Sequence, residues 1–171
     1  MASQCSAKGE PEELPFFVYG TLRVGESNYR RYVAGKTTQE YPAILPAHTL
    51  YARDLPCVTD ASDGSQVVGD LLFVPTDLYA HVLAALDELE EYYPEEVDPW
   101  YIRVKRRVYY TDAEGVAREV DAWVYHGGKR TLHQYSADDR VPSGDWIAFY
   151  RAAGRDGDYR AASRTDREES R

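Results

Sequence analysis

Two neighbouring segments with alternating side chains constrain the fold of this chain more than any other feature of its sequence. Within residues 100–110, apolar side chains recur at even positions. They are Ile102, Val104, Val108 and Tyr110. Side chains of a strand point to its two faces in turn, so the pattern predicts a strand with one apolar face. Residues 120–125 alternate in the same way, and residues 112–115 between the two segments, which end in Gly115, are typical of a hairpin turn.

Two shorter apolar runs predict further strands. Residues 16–19 are apolar and end at Gly20, which favours a buried strand followed by a turn. Residues 67–74 form the second run, and Gly69 within it indicates a bulge or the close approach of another backbone segment. The sequence therefore predicts four strands in all.

One long helix and one short helix complete the predicted elements. Apolar residues recur at helical spacing between Leu78 and Leu89, with Thr76 as the predicted N-cap and Pro94 as the end of the pattern. The shorter helix is predicted over residues 27–33. More strands than helices favour a mixed α+β domain, or a small curved sheet that closes into a barrel with a helix packed on it.

The length and composition predict one domain with a polar segment at each end. The chain has 171 residues and no internal repeat, and we expect the domain to cover residues 15–150. Residues 1–14 are polar and predict a flexible leader. Residues 151–171 alternate arginines with acidic residues, which predicts a charged tail that is either a solvated helix or disordered.

The charge balance limits the classes of partner. A net charge of −9 argues against nucleic acid and anionic membrane surfaces. No stretch approaches the ~20 apolar residues of a membrane helix, and the start of the chain lacks the pattern of a secretory signal. We therefore expect a cytoplasmic protein, whose oligomeric state the sequence leaves open. The two cysteines, Cys5 and Cys57, do not form a disulfide framework.

The loop after the first predicted strand is a candidate anion site. Glycine permits a positive φ and brings bare backbone N–H groups towards a ligand, and successive N–H groups in a turn bind anions. The amides of Gly20, Thr21 and Leu22 could therefore hold a carboxylate, with the Thr21 hydroxyl and the Arg23 charge beside them. The alternative is an ordinary turn between a strand and a loop.

Glu90 is the acidic residue best placed for chemistry at the end of the long helix. With ~100° per residue it lies beside Leu83 and Leu86, at the edge of the apolar stripe. Glu88 and Glu91 point away from that stripe. Partial burial and the negative end of a helix raise the pKa of a carboxyl, and such a group is a competent general base. The alternatives are a solvated acidic helix end or a salt bridge to an arginine of residues 103–107.

Five segments in order resemble one known family. Tyr19-Gly20-Thr21-Leu22-Arg23 resembles the Tyr-Gly-[Ser/Thr]-Leu motif of γ-glutamylcyclotransferase-like (AIG2-like) domains. Leu86-Asp87-Glu88-Leu89-Glu90 is similar to their Leu-Asp-x-x-Glu, whose final glutamate is the catalytic base. The other three segments are Gly69-Asp70-Leu71-Leu72-Phe73, Tyr101-Ile102-Arg103 and Ser143-Gly144-Asp145-Trp146. The similarity extends roughly from Phe16 to Tyr150, but Glu91 stands where the family usually has glycine.

The resemblance implies a small mixed β-barrel with flanking helices and a γ-glutamyl substrate. It implies that Glu90 is the catalytic acid/base and that the loop over residues 19–23 binds the γ-glutamyl group. Tyr125 is a further candidate for substrate binding, with a purely structural sheet tyrosine as the alternative. The reaction would release 5-oxoproline and a free amine without a cofactor or metal. The other hypothesis is a non-catalytic member of the fold that binds a small ligand or a partner.

Other candidate groups favour structural roles. The four histidines share no metal-binding spacing, so surface or core positions are expected rather than metal ligation. They are His48, His81, His126 and His133. Cys57 is a candidate nucleophile, although a buried structural thiol is the favoured interpretation. The basic residues between Arg103 and Arg107 predict a salt-bridged surface on a strand, with attraction of substrate as the less favoured alternative.

Overall fold

Seven strands and three α-helices form the domain in a computed structural model that describes residues 11–154. The strands are β1 (Phe16–Val18), β2 (Gln39–Pro46), β3 (His48–Ala52), β4 (Pro56–Asp60), β5 (Gln66–Phe73), β6 (Tyr101–Thr111) and β7 (Ala117–Gly127). The helices are α1 (Thr76–Leu89), α2 (Lys129–Leu132) and α3 (Trp146–Ala152). A π-helical turn covers Tyr29–Val33, and a 3-10 turn covers Ala137–Asp139.

Five of the strands close into a barrel in the order β1-β5-β2-β6-β7. The neighbours along this order pair antiparallel, whereas the closing pair of β1 and β7 is parallel, at Phe16 and Trp123. β3 and β4 form a separate two-stranded sheet, which we call the ribbon. The prediction of a small mixed barrel with flanking helices is therefore confirmed.

Strand β1 is buried on both faces, which explains its continuous apolar sequence. Phe17 points into the barrel interior and packs in one core cluster with Trp146 of α3. Phe16 and Val18 point outward and pack under α1 in a second cluster. The ring of Phe16 stacks on that of Tyr79 with 5.6 Å between ring centroids. Helix α1 therefore lies across the closing strand of the barrel.

Several predicted elements agree with the structure. The hairpin at residues 112–115 joins β6 to β7, and Asp112 Oδ1 accepts hydrogen bonds from the backbone N–H groups of Glu114 and Val116. The predicted short helix contains the π-helical turn, in which Ala34 N–H donates to Tyr29 O at 2.8 Å. Gly69 does mark a close approach, because a Cβ there would lie 2.3 Å from Val18 O.

Some local predictions are wrong. Thr76 is not the N-cap: Pro75 holds that position, and the Thr76 hydroxyl donates to Glu13 Oε2 at 2.9 Å. Ile102 is 38% exposed, because at this end of β6 the covered face is the opposite one, with Tyr101 buried. Strands β2, β3 and β4 were not predicted.

The predicted ends of the chain lie partly outside the described residues. Within the predicted leader, Tyr79 OH donates to Leu14 O at 2.6 Å, and Lys105 Nζ lies 3.0 Å from Glu12 Oε2. Residues 12–14 are therefore attached to the domain. Helix α3 continues to Ala152, two residues into the predicted tail. Residues 1–10 and 155–171, with the rest of both predictions, are outside the described part.

We expect Gly69→Ala to destabilise the domain by about 1–3 kcal/mol, because the added methyl group overlaps Val18 O and the Phe17 ring. Chemical denaturation with tyrosine or tryptophan fluorescence measures the change. Gly127→Ala is the matched control, because its Cβ would meet the Cys57 and Leu132 side chains at 3.1 Å or more. An equal loss in both variants would contradict the close approach at Gly69.

Candidate functional site

A cavity of about 460 Å³ opens between the loop after β1, the C-terminal end of α1 and the start of β4. It is lined by six of the seven residues predicted for the site. They are Tyr19, Gly20, Thr21, Leu22, Glu90 and Tyr125. Arg31 and Tyr101 are among the lining residues that were not predicted for the site. Pro56, from a stretch that loosely resembles the family's proline-bearing pocket loop, also lines the cavity. The structure thus brings the acidic helix end and the loop amides to one cavity.

The loop presents its backbone N–H groups without internal acceptors. Among residues 11–154, no acceptor is found for the N–H groups of Gly20, Thr21 or Leu22. The loop itself is held by Asn28, whose N–H donates to Thr21 O at 3.0 Å and whose Nδ2 donates to Thr21 Oγ1 at 2.7 Å. Such an ordered turn with unpaired amides is suited to binding an anion.

Gly20 is required here for a different reason from the one predicted. Its φ is not positive. A Cβ at Gly20 would instead lie 2.6 Å from Cγ of Pro56, so the absence of a side chain lets the ribbon approach the loop. Pro56 thereby forms part of the cavity wall.

Arg23 does not line the cavity. Its Nε lies 3.2 Å from Asp70 Oδ2, and its Nη1 lies 3.1 Å from Asp145 Oδ1. Asp70 Oδ2 also accepts a hydrogen bond from Val24 N–H at 2.9 Å. These contacts fix the loop to β5 and to the N-cap of α3. We therefore assign Arg23 to the support of the loop, and its predicted contact with substrate is not part of the site.

Helix α1 ends in a Schellman motif, with Glu90 as its C-cap. Tyr92 N–H donates to Asp87 O at 2.9 Å, and Glu91 N–H donates to Glu88 O at 3.2 Å. Glu91 consequently has a φ of 52°, in the left-handed region that favours glycine. The turn ends the helix at Glu90 and places this half-buried residue at the cavity.

The two predicted tyrosines line the cavity with their hydroxyl protons already donated. Tyr19 OH donates to Tyr125 O at 2.6 Å, and Tyr125 OH donates to Asp87 Oδ1 at 2.6 Å. Burial raises the pKa of Tyr19, with smaller contributions from Tyr101 and the charge of Glu90. Burial, then Asp87 and Glu90, raises that of Tyr125. Both phenols stay neutral, and the Tyr125 hydroxyl is not a free donor for a ligand.

Asp87 and Arg103 are supporting residues of the site. Arg103 Nε lies 3.1 Å from Asp87 Oδ1 without the alignment of a hydrogen bond, and its guanidinium lies over the rings of Tyr92 and Trp123. Burial raises the pKa of Asp87, while the hydrogen bond from Tyr125 and the charge of Arg103 oppose this rise. Asp87 thus forms an ion pair with Arg103.

Comparison with known proteins gives the family. The family model described as "Gamma-glutamyl cyclotransferase, AIG2-like" matches residues 16–148. The chain belongs to this family. No curated protein matches the sequence.

Solved structures of low sequence identity share the fold of this family member. An uncharacterised protein from Pyrococcus horikoshii is 17% identical with a TM-score of 0.52, covering 85% of this chain and 99% of its own. A yeast γ-glutamyl cyclotransferase described as specific to glutathione is 12% identical, with a TM-score of 0.54 and coverage of 84% and 87%. YkqA from Bacillus subtilis is 18% identical, with a TM-score of 0.55 and coverage of 84% and 43%, so the chain spans less than half of that protein.

The remaining candidates from the sequence lie outside this cavity. Cys57 is buried and burial raises its pKa to about 12, so the thiol is not a nucleophile at neutral pH. The basic residues of β6 form ion pairs as predicted, for example Arg106 with Asp60 and Arg107 with Asp121.

No helix within residues 11–154 has the length and apolar character needed to cross a membrane.

His48 and His126, which lie far apart in the sequence, are in contact in the structure. His48 Nε2 and His126 Nε2 are 2.8 Å apart, and Asp60 lies beside them. His81 and His133 are exposed. The pair is 78 residues apart in sequence, so no local motif could reveal it.

We expect Glu91→Gly to stabilise the protein by about 1 kcal/mol, because relief of the left-handed conformation exceeds the entropy cost of glycine. The melting temperature should rise by about 2–4 °C. Ala84→Gly, at an exposed position of α1 with ordinary helical geometry, is the control and should lose about 1 kcal/mol. A lower melting temperature for Glu91→Gly would show that the Glu91 side chain contributes more than its backbone costs.

Proposed function

We propose that this protein cleaves γ-glutamyl amides by intramolecular cyclisation and releases 5-oxoproline and a free amine. The observation that carries the proposal is the shared cavity, in which Glu90 and the unpaired amides of residues 20–22 lie on the same hollow. Membership of the family supports the reaction type. The yeast neighbour specific to glutathione is consistent with a γ-glutamyl substrate.

The substrate supplies its own nucleophile in this reaction. The α-amine of a γ-glutamyl group attacks its own γ-carbonyl and closes a five-membered lactam. Because both reacting groups belong to one molecule, fixing its conformation removes most of the entropic barrier. The steps need binding, proton transfer and stabilisation of an oxyanion, which protein groups can supply without a cofactor.

The loop amides would hold the α-carboxylate of the substrate. Three carboxylates, those of Glu88, Glu90 and Glu91, line the same cavity, so an anionic group needs strong compensation there. Backbone N–H groups with no internal acceptor provide it, because an unpaired donor gains a full hydrogen bond when the ligand arrives. Arg31, which also lines the cavity, adds positive charge at its exposed edge.

Glu90 would transfer the protons. Its carboxylate takes one proton from the α-ammonium group, and the freed amine attacks the γ-carbonyl carbon to give a tetrahedral intermediate. The bond from this carbon to the leaving nitrogen then breaks as that nitrogen receives the proton from Glu90. The ring nitrogen gives up its second proton, which the released amine takes up to become an ammonium ion. One carboxyl group thus acts as base and then as acid, and returns to its starting state.

The tyrosines would shape the cavity instead of taking protons. Tyr125 is held by Asp87, and Tyr19 by the backbone of Tyr125, so neither hydroxyl has a proton available for substrate. Their rings and Pro56 give the apolar walls that exclude water from the reacting atoms. Tyr125 in this proposal contacts substrate through its ring and through the acceptor capacity of its oxygen.

We expect Glu90→Gln to lower kcat for release of 5-oxoproline by about 10²–10⁴-fold, because the amide cannot accept the ammonium proton. A panel of γ-glutamyl amines and dipeptides, with 5-oxoproline measured by mass spectrometry, gives the rates. Glu96→Gln removes an exposed carboxylate nearby that does not line the cavity, and it should keep the wild-type rate. Activity that survives Glu90→Gln would remove the proposed base.

The same panel tests the alternative of a non-catalytic binder. The observation that favours this alternative is the Glu91 carboxylate beside Glu90. It makes the electrostatic potential in the cavity more negative, which opposes the binding of an anionic substrate. Calorimetry with each γ-glutamyl compound separates the two functions. Binding without turnover by the wild-type chain would support the binder and contradict the enzyme.

A further inference from the structure

A second polar cluster lies where the ribbon meets the barrel, away from the Glu90 cavity. His48 of β3 and His126 of β7 are only 2% and 6% exposed, and their Nε2 atoms are 2.8 Å apart. Asp60, at the end of β4, places Oδ1 3.2 Å from His48 Nε2. The side chain of Asp60 is 62% exposed, so the cluster is open to solvent on that side.

The hydrogen bonds of His48 determine which of its nitrogens carries the proton. His48 Nδ1 lies 2.7 Å from Pro46 O. A carbonyl oxygen only accepts, so Nδ1 is the N–H donor and Nε2 of the neutral ring carries a lone pair. That lone pair faces His126 Nε2, and Asp60 Oδ1 lies 3.2 Å from the same nitrogen. A proton on His126 Nε2 satisfies the contact between the two rings and leaves the carboxylate beside a nitrogen that carries no proton.

We propose that His48, Asp60 and His126 bind a divalent transition-metal ion, with Zn²⁺ as the preferred ion. Their three donor atoms lie within 4.8 Å of one another. Two imidazole nitrogens and one carboxylate oxygen are a usual Zn²⁺ set, whereas Mg²⁺ and Ca²⁺ prefer oxygen alone. Tetrahedral bonds of about 2.0–2.2 Å separate the donor atoms by roughly 3.3 Å. The two rings, whose Nε2 atoms are 2.8 Å apart, therefore have to separate slightly, and the donor atoms of Asp60 and His126, which lie within 4.8 Å, have to approach each other.

The surroundings of the three ligands resemble those of known metal sites. The Pro46 carbonyl fixes the orientation of the His48 ring, as outer partners of metal-bound imidazoles do. Arg106 donates from Nε to Asp60 Oδ1 at 3.0 Å and from Nη2 to Oδ2 at 2.8 Å. It orients the carboxylate and reduces its negative charge, which moderates the affinity.

The metal would hold the ribbon against the barrel. His48 and Asp60 belong to the two strands of the ribbon, and His126 belongs to a barrel strand. None of the three lines the Glu90 cavity, but β4 also carries Pro56, which does. The expected role is therefore structural, and metal binding is independent of the proposed proton transfer by Glu90.

Metal titration of the full chain tests this site. Tag-free protein with Cys5→Ser, which removes a competing thiol outside the described residues, is stripped with chelator and titrated with Zn²⁺ or Co²⁺. We expect one ion per chain, a visible Co²⁺ spectrum of imidazole ligation and a higher melting temperature with Zn²⁺. Asp60→Asn and His126→Gln should each weaken binding by more than about tenfold. His133→Gln, at an exposed histidine, should bind as before.

The variants separate a metal site from a simple hydrogen-bonded histidine pair. Because Asp60 is exposed, we expect the Asp60→Asn protein to fold even if the His126→Gln protein does not. The Asp60→Asn protein must then bind Zn²⁺ more weakly than the parent. Absence of saturable binding in the parent protein would overturn the proposal. Equal Zn²⁺ affinity in the parent and Asp60→Asn proteins would also overturn it. The contact between the two rings would then be a simple hydrogen bond from His126 Nε2–H to His48 Nε2.

Discussion

The burial of β1 on both of its faces is the constraint on which the site depends. This strand of three residues pairs with β5 on one side and meets β7 on the other, so it completes the barrel. Phe17 occupies the interior, while Phe16 and Val18 fill the space beneath α1. The chain must then leave β1 directly below the end of that helix. The closeness of the loop and Glu90 follows from this core packing.

In and beside the cavity, several polar groups are already committed to partners within the protein. Asp87 binds Tyr125 and lies against Arg103, Tyr19 bonds to the backbone of β7, and Arg23 is paired with Asp70. Such a network fixes the geometry before a ligand arrives, which reduces the reorganisation that binding requires. The loop amides differ, because their unpaired state leaves them available to a ligand.

The sequence revealed those parts of the molecule that depend on local pattern. Alternation predicted β6 and β7, and helical spacing predicted α1. Motif order predicted that Glu90 and residues 19–23 belong together, and of these only Arg23 lies outside the cavity. Strands β2 to β4 were missed: β2 contains Pro42 and Pro46, and the ribbon pairs outside the barrel. The ion pairs of Arg23 and the contact of His48 with His126 join residues far apart in sequence, so only the folded structure shows them.

Because of the Schellman turn at the end of α1, the backbone geometry of the site does not depend on the side chain at position 91, whereas the electrostatic potential of the site does. The backbone course that presents Glu90 is specified by the helix end, whichever side chain occupies position 91. At the position where relatives are expected to have glycine, this chain has Glu91, whose carboxylate lines the cavity. Its backbone adopts the left-handed conformation, which glycine adopts more easily. For the proposed reaction, exchange of this one residue would change the selectivity among leaving amines of different charge, while the backbone that presents Glu90 stays in place.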